Sequence, residues 1–194
     1  IGNRWNYLNM LDEYFEERKK QVLSLQKRMK DEYQWGPYLN HYITEANPSL
    51  APETEYYYEE WRCAPSARPD FKSLASTSKS ETAQVCYGSR SYQDYYVYYF
   101  HRFFSKYSKP EGLPFATYFD VSGPNLCMNK YHNCGYTDEN GEIKPEVPVL
   151  AWRETMKRLY TIMKEMGKDN WMTTHMSGEP VMAYWSFNDV LIPG

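Results

Sequence analysis

The sequence has no surplus of basic charge. Its 22 Lys and Arg face 25 Asp and Glu, for a formal net charge of -3, and this excludes the electrostatic footprint of a nucleic-acid binder. No apolar run approaches the roughly 20 residues needed to cross a bilayer, so no membrane span is expected. A Gly-rich dinucleotide loop is missing, as is a Gly-x-Ser-x-Gly elbow, and no internal repeat is visible. No cofactor is therefore expected. The chain lacks an initiating Met and a signal peptide, opening Ile1-Gly2-Asn3 and stopping at Pro193-Gly194. Both ends read as cuts through a longer protein.

Cysteine is scarce, at four residues: Cys63, Cys86, Cys127 and Cys134. An even count permits two disulfides, the simplest pairs being Cys63/Cys86 and Cys127/Cys134. That reading implies an oxidising compartment, hence a secreted, cell-surface or periplasmic protein. Reduced, buried thiols are the alternative. Cys127-x4-His132-x-Cys134 offers two thiolates and an imidazole to a zinc ion. A fourth ligand is not obvious and the spacing fits no common zinc module, so a disulfide is preferred and no metal is expected. Asp138-Glu139-Asn140-Gly141 reads as an acidic turn rather than a calcium loop.

Aromatics, by contrast, make up 18% of the chain, with 20 Tyr and 6 Trp. Such rings stack on sugars, but they also build cores and interfaces. The segment Tyr56-Tyr57-Tyr58-Glu59-Glu60-Trp61-Arg62 fits a sugar-stacking wall or a packed loop equally well.

Apolar spacing predicts helices over 4–33, 91–107 and 148–166, with buried strands at 38–43, 115–119 and 171–175 and a fourth candidate at 183–187. The middle helix, with Tyr95 to Phe100 apolar nearly all round, is expected to be buried on more than one side. Residues 44–90 read as a long irregular stretch. Alternating helices and strands imply an α/β fold with a parallel sheet. Either the sheet is open or it is part of a (β/α)8 TIM-type barrel.

In such folds working residues gather past the carboxyl ends of strands. That rule selects Asp120, His175, Asp189 and Glu45, with His41 inside the first strand. Asp120 suits a nucleophile or a stabiliser of an oxocarbenium-like centre, and Asp189 the second carboxylate of an acid/base pair. His175 suits a proton shuttle or a hydroxyl donor. Each also has a plain structural reading as a cap, a surface loop residue or a hydrogen-bonded core histidine. Glu45, His41, Asn129, His132, Trp61 and Trp185 complete the set as candidate substrate contacts.

The segment Tyr118-Phe119-Asp120-Val121-Ser122, then Cys127-Met128-Asn129 and His132-Asn133-Cys134-Gly135-Tyr136, then Trp152-Arg153-Glu154 and Lys157-Arg158-Leu159-Tyr160, resembles a glycoside-hydrolase-like barrel family, domain of unknown function 6067. So does His175-Met176-Ser177 followed by Ser186-Phe187-Asn188-Asp189. That family is distantly similar to glycoside hydrolase family 123, the β-N-acetylgalactosaminidases. The motifs cover roughly 115–194. The resemblance implies that residues 1–194 are one domain, the central portion of an eight-stranded barrel. It also implies a carbohydrate substrate, and a longer chain supplying the remaining strands or β-sandwich domains. The adjacent Asp-Glu pair that family 123 uses at a strand end is not found here, since Val121 follows Asp120. The expectation is thus a glycosidase in which Asp120 and Asp189 work with His175. The alternatives are a carbohydrate-binding module without catalysis, or a structural domain.

Overall fold

The computed structural model describes residues 38–40, 52–65, 84–108, 116–176 and 181–193, together with Glu16, Lys20, Ser24, Lys27 and Arg28. Those five are helical and exposed, in keeping with the solvated side of the predicted first helix. The rest of that helix lies outside the described residues.

Four strands form one parallel sheet: β1 (Tyr38–Asn40), β2 (Ala116–Ser122), β5 (Trp171–Met176) and β6 (Val190–Pro193), in the order β1-β2-β5-β6. Each new strand is added beside the previous one. A two-stranded antiparallel ribbon, β3 (Tyr136–Thr137) with β4 (Ile143–Lys144), stands apart from the sheet. Besides those five helical residues, the described residues hold helices α1 (Pro52–Tyr56), α2 (Tyr58–Trp61), α3 (Arg90–Ser108), α4 (Val149–Met166) and α5 (Met182–Trp185). The expected eight-stranded barrel is not what these residues form. Four hydrogen-bonded strands make an open sheet, and closing a barrel of this kind takes eight.

The core lies between one face of the sheet and α3 and α4. Strand alternation sends Thr117, Phe119, Met172 and Thr174 to this face, all buried. Helix α3 meets them with Tyr92, Tyr96, Phe100, Phe103 and Phe104, at helical spacing. Helix α4 contributes Trp152, Met156, Leu159 and Met163. Each such side chain contributes roughly 1.5–3 kcal/mol by leaving water. Helix α3 buries one stripe and not several sides, since Tyr98 remains 61% exposed. On α4, Leu150 lies outside the buried stripe, at 79% exposed.

The helix ends follow local chemistry. Ser89 Oγ accepts the Tyr92 N–H at the start of α3 (3.4 Å). The Asn170 side chain donates to the Met163 carbonyl at the end of α4 (3.1 Å).

The fourth strand is displaced from its expected position. Residues Met182–Trp185 are helical, and the strand begins at Val190. Ala183, Tyr184, Trp185 and Phe187 are too few to separate a period of two from one of 3.6, and the segment forms a helical turn with Trp185 buried.

Candidate functional site

Two groups of reactive side chains emerge, one at the carboxyl end of the sheet and one beneath the loops.

On the sheet face turned away from α3 and α4 lie Tyr118, Asp120, Thr173 and His175, all half-buried. Register runs evenly from Ala116↔Trp171 to Phe119↔Thr174, then slips, so that Ser122 faces Met176. Three steps on β2 match two on β5, a β-bulge at Asp120–Val121. Ser122 Oγ donates to the Phe119 carbonyl across it (3.0 Å). At this bulge Asp120 Oδ1 stands 3.0 Å from His175 Nδ1. Nδ1 is buried, and the two atoms approach closely without the alignment of a hydrogen bond. Contacts of this kind commonly tighten when substrate arrives. Tyr118 lies nearly parallel to the imidazole, with ring centroids 6.5 Å apart. With Nδ1 turned to the carboxylate, Nε2 is the nitrogen available to a substrate.

Asp189 does not join this pair. It precedes β6 rather than following a strand, and its backbone N–H donates to the Met172 carbonyl (2.9 Å). Its carboxylate accepts the Met172 N–H (2.8 Å) and the Tyr160 hydroxyl (3.3 Å), and pairs with Lys164 Nζ (2.8 Å). It therefore sits at the amino end of β5, while Asp120 sits at the carboxyl end. Two strand spacings and three residues of rise put them about 14 Å apart, beyond the roughly 5–10 Å that two-carboxylate glycosidases span.

The aromatic candidates are buried rather than presented. Trp61 is 3% exposed, stacks on Tyr57 and donates Nε1 to Ser91 Oγ (2.9 Å); Trp185 is 5% exposed. Neither offers a free face to a sugar. Asn129 is buried too, donating to the Glu59 and Arg62 carbonyls (3.0 and 2.9 Å) and capping the 3-10 turn Lys130–His132. His41 and Glu45 lie outside the described residues. Asp138 holds its own turn by accepting the Asn140 and Glu142 N–H groups (both 2.9 Å).

The second group is the four cysteines, packed as one buried cluster. Cys63 follows α2, Cys86 precedes α3, and Cys127 and Cys134 bracket the 3-10 turn. All four are free, and Cys86 Sγ lies 3.7 Å from Cys134 Sγ, far beyond the roughly 2.05 Å of a disulfide. The expected pairs Cys63/Cys86 and Cys127/Cys134 are therefore not bonded here. The zinc reading, set aside for want of a fourth ligand, regains one. Cys86, 41 residues before Cys127 in the sequence, brings its sulfur beside those of Cys127 and Cys134 and the His132 ring, all four ligand atoms lying within 4.8 Å of one another. Sequence spacing shows nothing of this, because the fourth member comes from a different segment.

The neighbouring thiols, Cys134 first, then Cys63 and Cys86, pull the Cys127 thiol far below its usual range. The Cys134 and Cys86 thiols are driven up, first by their bonds to Cys127. The closeness of Cys127, aided by burial, pushes Cys63 up to about 12.

No family model, no curated protein and no solved structure matches the chain. Among the described residues no helix is long and apolar enough to cross a membrane.

Proposed function

We propose that this chain acts on glycans as a hydrolase of glycosidic bonds, with Asp120 and His175 at its centre. The observation that carries the reading is the 3.0 Å approach of a carboxylate to an imidazole at the carboxyl ends of neighbouring parallel strands, the place where such folds keep their chemistry. The sugar class rests on the resemblance described above.

Asp120 holds His175 with Nδ1 protonated. Nε2 then accepts a proton from the water that attacks the anomeric carbon as the glycosidic C–O bond breaks. The leaving oxygen takes a proton from a second acid. Aryl glycosides, whose phenolate departs unprotonated, dispense with that acid and report on the pair alone. The position of Asp189 favours a second reading, a site that holds glycan without cleaving it, because the expected carboxylate partner is engaged elsewhere.

The test is a panel of aryl glycosides and natural glycans offered to wild-type protein, Asp120→Asn and His175→Ala. General acid–base catalysis contributes about 10²–10⁴-fold, so kcat/KM is expected to fall by that much in His175→Ala with the fold unchanged. Glycan binding that weakens in both variants, with no hydrolysis by wild type, would replace the enzyme with a binding module. Activity untouched by either substitution would overturn the assignment of Asp120 and His175 as its centre, and the binding-only reading with it.

A further inference from the structure

The sulfur cluster is independent of the Asp120–His175 centre and has the geometry of a metal site. We propose that Cys86, Cys127, His132 and Cys134 bind one zinc ion, a closed structural centre joining the start of α3 to the loop that leaves β2.

Four observations support it. The four ligand atoms all lie within 4.8 Å of one another. The 3.7 Å between Cys86 Sγ and Cys134 Sγ is close to a tetrahedron edge, about 3.8 Å for Zn–S bonds of about 2.3 Å. The His132 ring has the ligand tautomer: Nδ1 stands 3.0 Å from the Glu60 carbonyl, which can only accept, so Nδ1 carries the proton. Nε2 then turns its lone pair towards Cys127 Sγ, 3.2 Å away. Lastly, the backbone is shaped around sulfur. Gly88 N–H donates to Cys86 Sγ (3.3 Å) and Asn129 N–H to Cys127 Sγ (3.4 Å), each from two residues further on. A Cβ on Gly88 would stand 2.6 Å from Cys134 Sγ.

Cys63 is assigned a different role. Its thiol donates to the Val85 carbonyl (3.1 Å), so its proton is engaged and it lines the cluster without ligating. Three thiolates and an imidazole suit zinc over magnesium or calcium. Four protein ligands leave no open position for water or substrate, which marks the site as structural.

Metal analysis of the protein purified under reducing conditions is expected to give about one zinc per chain. After replacement by cobalt, it should show the visible bands of a tetrahedral centre and a thiolate charge-transfer band. Cys63→Ser should keep both, while Cys86→Ser, Cys134→Ser and His132→Ala lose the tetrahedral spectrum. Because the cysteine variants can fail to fold, wild type is also probed with a thiol reagent. Reaction in the native state should be slow and should speed up sharply on adding a chelator. Folded wild-type protein that holds no metal and takes up no cobalt would overturn the proposal. So would a Cys86–Cys134 disulfide in peptide maps, or a tetrahedral spectrum that survives His132→Ala and vanishes in Cys63→Ser.

Discussion

Asp189 and Met172 are joined twice: the Asp189 N–H donates to the Met172 carbonyl, and the Met172 N–H donates to the Asp189 carboxylate. The pair locks the start of β6 to the start of β5. Lys164 of α4, against the same carboxylate, ties a helix into the join. Removing the carboxylate strands a backbone N–H and takes the ion-pair partner from Lys164, which keeps its bond to the Asn170 carbonyl. Asp189→Ala is therefore expected to lower stability by about 1–3 kcal/mol, measured by urea unfolding. The activity proposed for Asp120 should persist at temperatures where the variant is folded.

Gly88 is the second test position. A methyl group there meets the Cys134 sulfur at 2.6 Å and the His132 ring at 3.1 Å, so sulfur or backbone must move. Gly88→Ala should destabilise the fold by about 1–3 kcal/mol through overpacking. It should also loosen cobalt binding, seen as a weaker tetrahedral spectrum at equal metal concentration. Gly141, with open space around it but φ +81, serves as a control: Ala there costs backbone strain and leaves metal binding alone.

Alkaline pH should unfold the protein through its core tyrosines. Burial holds the phenol pKa values of Tyr87, Tyr92 and Tyr96 above their ordinary value. In the unfolded chain these groups lose their protons near pH 10. Above that pH the folded state binds more protons than the unfolded one, so stability falls as pH rises. Urea midpoints should hold steady up to about pH 9 and decline beyond it. The Tyr96 hydroxyl is buried with no hydrogen-bond partner among the described residues. Tyr96→Phe should therefore be nearly neutral at pH 7 and shallower in its alkaline decline.

The one-sided burial of α3 gives a paired prediction. Phe100 is fully buried, stacked on Phe119 of β2 at 6.3 Å and packed on Phe104. Phe100→Ala should cost about 3–5 kcal/mol. Tyr98, on the opposite side and 61% exposed, should tolerate Ala within about 0.5 kcal/mol. Thermal unfolding of the two variants checks this.

Long, periodic elements were legible in the sequence. Helices α3 and α4 fall within two residues of their expected bounds, and β2 and β5 lie where apolar runs end at Asp120 and His175. What sequence could not supply was anything set by contact between distant segments. The short run Ala183–Phe187 carries too few residues to fix its period, and misplacing that strand placed Asp189 at the wrong end of the sheet. Trp61 and Trp185 read as sugar platforms because composition does not distinguish a buried ring from a presented one. The pairing of cysteines by nearness in sequence failed because Cys86 meets Cys134 across 48 residues. The pairing of β2 with β5 that sets Asp120 beside His175 leaves no composition signal.

The cluster also bears on the order in which the chain acquires its shape. Cys127 and Cys134 are seven residues apart and meet early, since closing a short loop costs less entropy than closing a long one. Cys86 must wait until α3 has docked near the loop after β2. In that interval the two early sulfurs face each other without their third companion. An oxidant present then would trap Cys127 with Cys134, and the late-arriving Cys86 would find its place taken. The yield of refolding should thus rise when reductant outlasts the docking of α3.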